Sequence, residues 1–421
     1  MKLRIIASAL LLAAAVTGAK AQSSIQNPMT QAVLAVYAEE LAANPSNYGI
    51  YLARADEFYR HSEYIKALED VTKVLELAPE KEEDVRLRSY ILRAGIYNET
   101  HRPQEALNDL KEAIRIAPDS YAVVYQKANT DYTLGNYADA KTGFIKLERL
   151  NSRTAEPYIG QARIAVQENN LGMANELLEK AVGVDPSNAE IYIRRASVRK
   201  QMGDHNGAVS DFILALSCDS KNERAINALL EYGNTNYPAT MAGLTNAITT
   251  APEVGMFRYI RAVVAQAHFH YLAAINDYQE ILDKKIYNYY GIYASIAECN
   301  YCLGNYTEAL DNADRALSMI TDNASYYVVK SRILRALGRH DDAIKVAAQA
   351  LAVDRQSNEA LTEMALAYVG VANYEEATNL LGEAMLNDAE NATYPMLRAW
   401  IYEKYLNKEK NARALYEQVS E

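Results

Sequence analysis

Residues 155–188 read AEPYIGQARIAVQENNLGMANELLEKAVGVDPSN, a segment of 34 residues that returns along the chain. Its Tyr-Ile-Gly-Gln-Ala motif, which starts at Tyr158, has counterparts that start at Tyr51, Tyr90 and Tyr192. In each copy the last Ala of the motif is followed twelve residues later by another Ala, and several copies end in Pro. A fixed period of this length predicts one supersecondary unit repeated many times.

Residue sizes inside the repeat predict what the unit is. Small residues recur at unit positions 8, 20 and 27, and large apolar residues recur at positions 4, 11 and 24. Small residues let two helix backbones approach closely, and large residues fill the space between them. Glycines at the middle of the unit suit the left-handed residue that ends a helix, and the prolines fall between units or in first turns. Each unit is therefore predicted to be two antiparallel helices. The glycines in question are Gly135, Gly203, Gly304 and Gly338.

This order of residues resembles the tetratricopeptide repeat family. The resemblance implies an all-α fold, a right-handed α-solenoid superhelix of about eleven helix-turn-helix units. The units begin at Tyr48, Leu87, Tyr121, Ala155, Ala189, Lys221, Gly255, Tyr290, Ala324, Asn358 and Ala392. The predicted organisation is a signal peptide (1–21), an N-terminal helix or half repeat (22–47), units 1–5 (48–220), a degenerate unit with a loosened joint (221–254), and units 7–11 with a C-terminal cap (255–421).

Composition excludes several classes of function. Of the 421 residues 50% are hydrophobic, which is too many for a disordered chain. Lys and Arg number 43 against 54 Asp and Glu, so the formal charge is -11 and nucleic acid is not an expected partner. No phosphate-binding Gly loop, Gly-x-Ser-x-Gly motif or His-Glu-x-x-His motif occurs. We therefore expect no enzymatic activity, no cofactor and no metal.

The N-terminus has the pattern of a cleaved export signal. Lys2 and Arg4 precede an apolar run, Ile5–Val16, and a small-x-small site at 19–21 precedes Gln22. The run is shorter than the roughly 20 residues that span a bilayer, and no Cys follows the site to carry a lipid. This pattern predicts export, most simply to a bacterial periplasm, of a chain that is not embedded in the membrane.

One charge pattern links the two helices of a unit. Four units carry Arg at position 7 and Asp sixteen residues later. Co-occurrence with a local carboxylate favours structural ion pairs over a row of ligand-binding arginines. The pairs are Arg54 with Asp70, Arg93 with Asp109, Arg195 with Asp211, and Arg261 with Asp277.

The family's first helices line a concave groove, so the resemblance implies a partner-binding surface. Positions 5 and 12 of the unit supply apolar residues with tyrosines among them, which suits a protein or peptide partner. An equally weighted alternative is that these rings simply pack between units. Some members of the family bind C-terminal carboxylates with Lys and Asn, a clamp that only Asn129 matches here, so we do not expect it. The predicted residues are Leu52, Tyr59, Ile91, Tyr125, Tyr132, Ile159, Tyr232, Tyr259 and Tyr301.

Cysteine and histidine give the sharpest candidates for chemistry. Cys299 and Cys302 lie near the end of a first helix, where the helix dipole does not favour a thiolate. With His268 and His270 of the preceding unit they could form a zinc site, and with each other a disulfide. We weigh both against the simpler alternative of ordinary helix residues. Cys218 is expected to be buried.

These observations predict a non-enzymatic scaffold or adaptor of the bacterial cell envelope that binds protein or peptide. The alternative is a self-associating structural component, joined through its end faces or through the degenerate unit near 232–238, or an accessory factor of an envelope secretion or polysaccharide system. The sequence does not decide the oligomeric state or the partner.

Overall fold

The computed structural model describes residues 27–287, 289 and 291–420, and within them the chain forms helices and no strand. The all-α prediction is confirmed. The predicted signal peptide lies outside the described residues. The helices are α1 Pro28–Ala43, α2 Tyr48–Arg60, α3 Tyr64–Leu77, α4 Glu83–Glu99, α5 Pro103–Ile116, α6 Tyr121–Thr133, α7 Tyr137–Leu150, α8 Glu156–Gln167, α9 Leu171–Val184, α10 Ala189–Met202, α11 His205–Cys218, α12 Glu223–Thr235, α13 Tyr237–Thr250, α14 Gly255–Ala267, α15 Tyr271–Lys284, α16 Ile292–Cys302, α17 Tyr306–Met319, α18 Ala324–Ala336, α19 His340–Val353, α20 Asn358–Gly370, α21 Tyr374–Asn387, α22 Thr393–Lys404 and α23 Glu409–Ser420.

Every helix after α1 pairs with a neighbour in a hairpin, from α2 with α3 to α22 with α23. Some first helices begin at the residue expected from the repeat, as α6 does at Tyr121 and α14 at Gly255, whereas α4 begins at Glu83, four residues before Leu87. Helix α1 precedes the first hairpin and begins at Pro28, where the missing proline N–H costs no hydrogen bond.

The small residues of the repeat lie between the paired helices. The alanines at position 20 are completely buried, which lets the helix backbones approach. Large side chains at position 24 are buried beside them, and each contributes roughly 1.5–3 kcal/mol when fully removed from water. These alanines include Ala67, Ala106, Ala140, Ala174 and Ala208, and the large residues include Val71, Leu110, Phe144 and Leu178.

Left-handed residues end the first helices. Gly135, Gly203, Gly304 and Gly338 have φ between 74° and 81°, as expected for glycine at this position. After α6, the N–H of Gly135 donates to Tyr132 O and the N–H of Asn136 donates to Asp131 O, so two of the last carbonyls have partners. The turn between α14 and α15 has Phe269 at the same position with φ 64°, a conformation that an aromatic residue adopts only at a cost.

The chain divides into two compact units, an N-terminal unit that ends at Ser187 and a C-terminal unit that begins at Asn188. The degenerate copy, 221–254, lies inside the C-terminal unit. Its helices α12 and α13 pack against each other less than the helices of any other hairpin, and α13 packs instead on α11 of the preceding hairpin.

Candidate binding surface

Ion pairs hold the first helices of both units in place. In each of the four predicted pairs the guanidinium donates two hydrogen bonds to one carboxylate, with N–O distances of 2.6 to 2.9 Å. Each pair joins the first helix of a hairpin to its second helix, so these arginines serve the fold and are not turned toward a partner. Asp211 is the most buried carboxylate, at 0% exposed, and it also accepts a hydrogen bond from Arg199 at 3.0 Å.

Side chains of successive first helices contact each other across the N-terminal unit. Asn98 Nδ2 of α4 donates to Thr130 Oγ1 of α6 at 3.0 Å. Arg163 Nη1 of α8 donates to Asn129 Oδ1 of α6 at 3.0 Å. The partners lie about one repeat apart in sequence, so α4, α6 and α8 lie side by side. We call the side chains that these helices expose here the first-helix surface: Ile91, Asn98, Tyr125, Asn129, Tyr132 and Arg163.

Aromatic rings and one arginine dominate this surface. Tyr125 is 37% exposed and its ring stacks on Tyr121 with a centroid separation of 6.5 Å. The Arg163 guanidinium lies 3.9 Å from the centroid of the Tyr132 ring, a cation–π contact. Gln167 Nε2 donates to the Tyr132 hydroxyl at 3.3 Å. The Tyr132 side chain is therefore held by two neighbours, the Arg163 guanidinium on its ring and the Gln167 amide at its hydroxyl.

Arg163 has neutral partners only. Among the described residues no carboxylate lies within ion-pair distance of it, in contrast to the four arginines that join the two helices of their hairpins. A guanidinium held by a ring face and an amide keeps N–H groups for another acceptor, and a carboxylate is the acceptor that its fork matches best.

A cleft of about 340 Å³ with several polar side chains in its wall lies beside these residues at the turn end of α4 and α6. Asn98, Asn129, Thr130 and Thr133 line it from the helices, and His101 and Pro103 line it from the turn. Amide and hydroxyl groups both donate and accept hydrogen bonds, as a peptide backbone requires of its partner.

The remaining predicted residues of the N-terminal unit are less accessible. Leu52 is 6% exposed and packs with Ala55 and Val71, so its prediction as a partner-binding residue is wrong. Its helix is the first of the array, and the core of the first hairpin covers it. Tyr59 is half-buried, and burial raises the pKa of its hydroxyl above the usual value. Ile159 is half-buried.

One predicted tyrosine of the C-terminal unit is covered. Tyr232 is 2% exposed, its hydroxyl is hydrogen-bonded with His205 Nδ1, and its ring meets Phe212 edge-on, so its prediction as a binding residue is wrong. The cause is the close approach of α11, which carries both neighbours.

Tyr259 and Tyr301 are half-buried against other rings. Tyr287 and Tyr289 lie over Tyr259 with centroid separations of 5.4 and 5.2 Å, and burial, with Tyr289 adding to it, raises the Tyr259 pKa. Tyr301 lies 5.7 Å from the ring of Tyr306.

The cysteines do not form the sites considered from sequence. None of the three forms a disulfide within the described residues, and Cys299 is buried whereas Cys302 is exposed. Burial raises the pKa of Cys299 to about 12, so it stays a thiol at neutral pH. Cys218 is exposed, and the expectation that it is buried is wrong because it ends α11 at the surface.

The two histidines lie beside a different residue. The rings of His268 and His270 lie 4.3 and 5.3 Å from Tyr237, in the degenerate copy. In the described part of the chain no group of three or more His, Cys, Asp or Glu side chains is placed to hold a metal ion. The same part contains no helix long and apolar enough to cross a bilayer.

Sequence reasoning did not select Asn98, Asn129 and Arg163 as partner-binding residues. A partial signal was present, because Arg163 occupies position 9, whereas the Arg–Asp spacing of sixteen residues starts from position 7. Position 9 alone is not enough, since Arg332 also occupies it and donates to Glu363 at 2.8 Å.

Comparison with known proteins identifies two segments directly. Residues 87–120, the hairpin of α4 and α5, match a family model described as tetratricopeptide repeat, and residues 334–401 match a second model of the same description. The outer dynein arm-docking complex subunit 4 of Xenopus laevis is 26% identical over 149 residues, 35% of this chain and 25% of that protein.

Two further proteins match over more of the chain. The DnaJ homolog subfamily C member 7 homolog of Schizosaccharomyces pombe is 21% identical over 81% of this chain and 63% of its own length. The chain thus spans less than two thirds of either curated relative. The crystal structure of yeast Tom70 is 14% identical with a TM-score of 0.40, over 88% of this chain and 91% of that one.

Proposed function

Because the chain is a tetratricopeptide-repeat protein, we propose that it is a scaffold that binds a protein or peptide partner and performs no catalysis itself. The first-helix surface of the N-terminal unit is the proposed binding surface. Tetratricopeptide repeats offer a partner a stack of helices, which is a broad surface of the kind that recognises proteins. The name of the frog relative, a docking complex subunit, is consistent with such a role.

The observation that carries this proposal is the arrangement around Arg163. Its guanidinium lies on the Tyr132 ring, 3.0 Å from the Asn129 amide oxygen, with no carboxylate partner in the described residues. Aromatic and arginine side chains are the residues that most often dominate the energetics of protein interfaces. We propose that an acidic side chain of the partner meets Arg163 while its apolar part lies on Tyr125.

We propose that the chain acts in the bacterial cell envelope, after export. The support is the N-terminal pattern of Lys2, Arg4, the apolar run and the small residues before Gln22. Mass spectrometry of the protein recovered from its host cell tests this, since a mature chain that starts at Gln22 is expected. A chain recovered from the cytoplasm with residues 1–21 still attached would contradict the location and leave the binding proposal standing.

Photo-crosslinking in the host cell tests the binding surface. A benzoylphenylalanine at Tyr125 is expected to capture a partner, because the position is exposed and lies one helical turn from Asn129, which accepts a hydrogen bond from Arg163. The matched control is Tyr416 of α23, which is equally exposed at 37% but lies outside the surface. Capture from Tyr416 with none from Tyr125 would refute the assignment.

A further inference from the structure

Two neighbouring second helices carry no charge on their outer face. Second helices expose unit positions 19, 22 and 26, and in nine of the eleven hairpins at least one of these residues is charged. In α11 and α13 none is charged. The three residues are Gly207, Ser210 and Leu214 in α11, and Ala239, Ala242 and Asn246 in α13.

The same two helices contact each other directly, because α13 packs on α11. Glycine makes this approach possible, since a Cβ at Gly243 would lie 2.7 Å from Val209 Cγ1. A groove of about 310 Å³ lies along the contact, and none of the residues that line it is charged. Leu214, on the groove, is 38% exposed, and Ala242 across from it on α13 is also exposed.

We propose that a second copy of this chain docks on the groove between α11 and α13 and forms a symmetric dimer. In this dimer Leu214 of each copy enters the groove of the other copy beside Ala242. The dimer goes beyond the partner binding proposed above, which uses the N-terminal unit, so either proposal can fail without the other.

Charge restricts a second copy to a face of this kind. The chain has a formal charge of -11, so two copies repel each other over most of their surface. Contact through a face without charges avoids burying an unpaired carboxylate or ammonium. It is the outer face on which two acidic copies meet at the lowest electrostatic cost.

The polar groups of the groove suit a second copy of the chain, because a symmetric contact requires a face that complements itself. The exposed polar groups on the groove are the amides of Asn206 and Asn246 and the hydroxyls of Ser210, Ser217 and Thr250, and each type both donates and accepts hydrogen bonds. The same face supplies a protruding residue, Leu214, and a shallow position, Ala242. Each copy therefore provides both halves of the contact.

The expected dimer is weak, because the contact is small. A helix of fourteen residues is about 21 Å long, and two such helices offer less area than a standard stable interface. We expect a dissociation constant of about 10–100 µM. Sedimentation equilibrium of the purified protein from about 1 to 200 µM measures this dissociation constant. A protein that is monomeric over the whole range would overturn the proposal, even if another molecule binds in the groove.

Charged variants locate the contact. Leu214→Lys and Ala242→Glu are each expected to raise the dissociation constant at least about tenfold, because each buries an unpaired charge at the contact. The control is Ala348→Glu, an exposed alanine of α19, which should leave dimerisation unchanged. Circular dichroism confirms that each variant is folded.

Mixing the two variants distinguishes a specific symmetric contact from general stickiness. In a mixed dimer the lysine at position 214 of one copy faces the glutamate at position 242 of the other, so dimerisation is expected to return. Failure of the mixture to dimerise, or dimerisation of each variant alone at the original strength, would overturn the proposal.

Discussion

Position 12 of the repeat is tyrosine in both units, as Tyr132 in the N-terminal unit and Tyr232 in the C-terminal unit, and the two rings have different surroundings. Tyr132 is half-buried and lies under the Arg163 guanidinium. Tyr232 is 2% exposed beneath His205 and Phe212 of α11. The repeat position therefore sets the helix and direction of a side chain, and the approach of the neighbouring hairpin decides whether a partner can reach it.

The largest expected effect is a loss of stability when an ion pair is broken, and it should differ between the two units. Asp211→Ala should lower the free energy of unfolding by about 4 kcal/mol, because it removes the fully buried carboxylate that pairs with both Arg195 and Arg199. Asp70→Ala in the N-terminal unit should cost roughly half as much, since Arg54, whose side chain is 22% exposed, can turn to water. Urea unfolding followed by circular dichroism measures both.

Asp314→Ala is the control for this pair of variants. Its side chain is 52% exposed and pairs with Lys330, so a loss below about 1 kcal/mol is expected. Equal losses at Asp211 and Asp314 would mean that burial does not set the strength of these pairs.

Close packing can be compared next at two glycines. A Cβ at Gly160 would lie 2.3 Å from the Phe144 ring in the N-terminal unit, and one at Gly233 would lie 2.5 Å from Val264 in the C-terminal unit. Alanine at either position should lower stability by about 1–3 kcal/mol through overpacking. Gly183→Ala, where nothing lies within 4 Å, should instead raise it by roughly 0.5–1 kcal/mol. Changes in melting temperature that have the same sign at all three positions would contradict this packing.

Partner binding sharpens the comparison further. Arg163→Ala should lower the cross-linking yield from Tyr125 about tenfold, equivalent to roughly 1.4 kcal/mol of binding free energy. Tyr232→Phe should leave the yield unchanged, because that ring is buried in the C-terminal unit. Arg149→Ala, an exposed arginine of α7, controls for the loss of one positive charge. A yield that depends equally on Arg149 and Arg163 would indicate only general electrostatic attraction.

The smallest effect concerns the cysteines, which all lie in the C-terminal unit. Burial raises the pKa of Cys299 to about 12, so it remains an unreactive thiol at pH 8. The exposed Cys218 and Cys302 should react with iodoacetamide, and mass spectrometry should find Cys299 modified only after unfolding. Rapid labelling of Cys299 in the folded protein would show that the hairpin of α16 and α17 opens readily.

Local pattern was enough to predict the helices and the ion pairs. The sixteen-residue spacing of Arg54 and Asp70 lies within one hairpin, so it depends on no other part of the chain. Burial of the binding residues could not be predicted in the same way. Tyr232 is covered because α11 approaches its helix and places His205 and Phe212 against the ring. The significance of Arg163 depends on side chains of the neighbouring hairpin, which only the folded chain brings to it.

One measurement tests most directly whether the N-terminal unit carries the binding surface. Tyr132 and Tyr301 occupy the same repeat position, one in each unit, and both are half-buried. Each is replaced in turn by benzoylphenylalanine, and the captured protein is identified after irradiation of the host cell. We expect capture of one partner from position 132 and little from position 301. Both rings pack on a second-helix tyrosine, at 5.5 and 5.7 Å, but Arg332, at the repeat position of Arg163, is already paired with Glu363. Capture from position 301 alone would contradict this expectation.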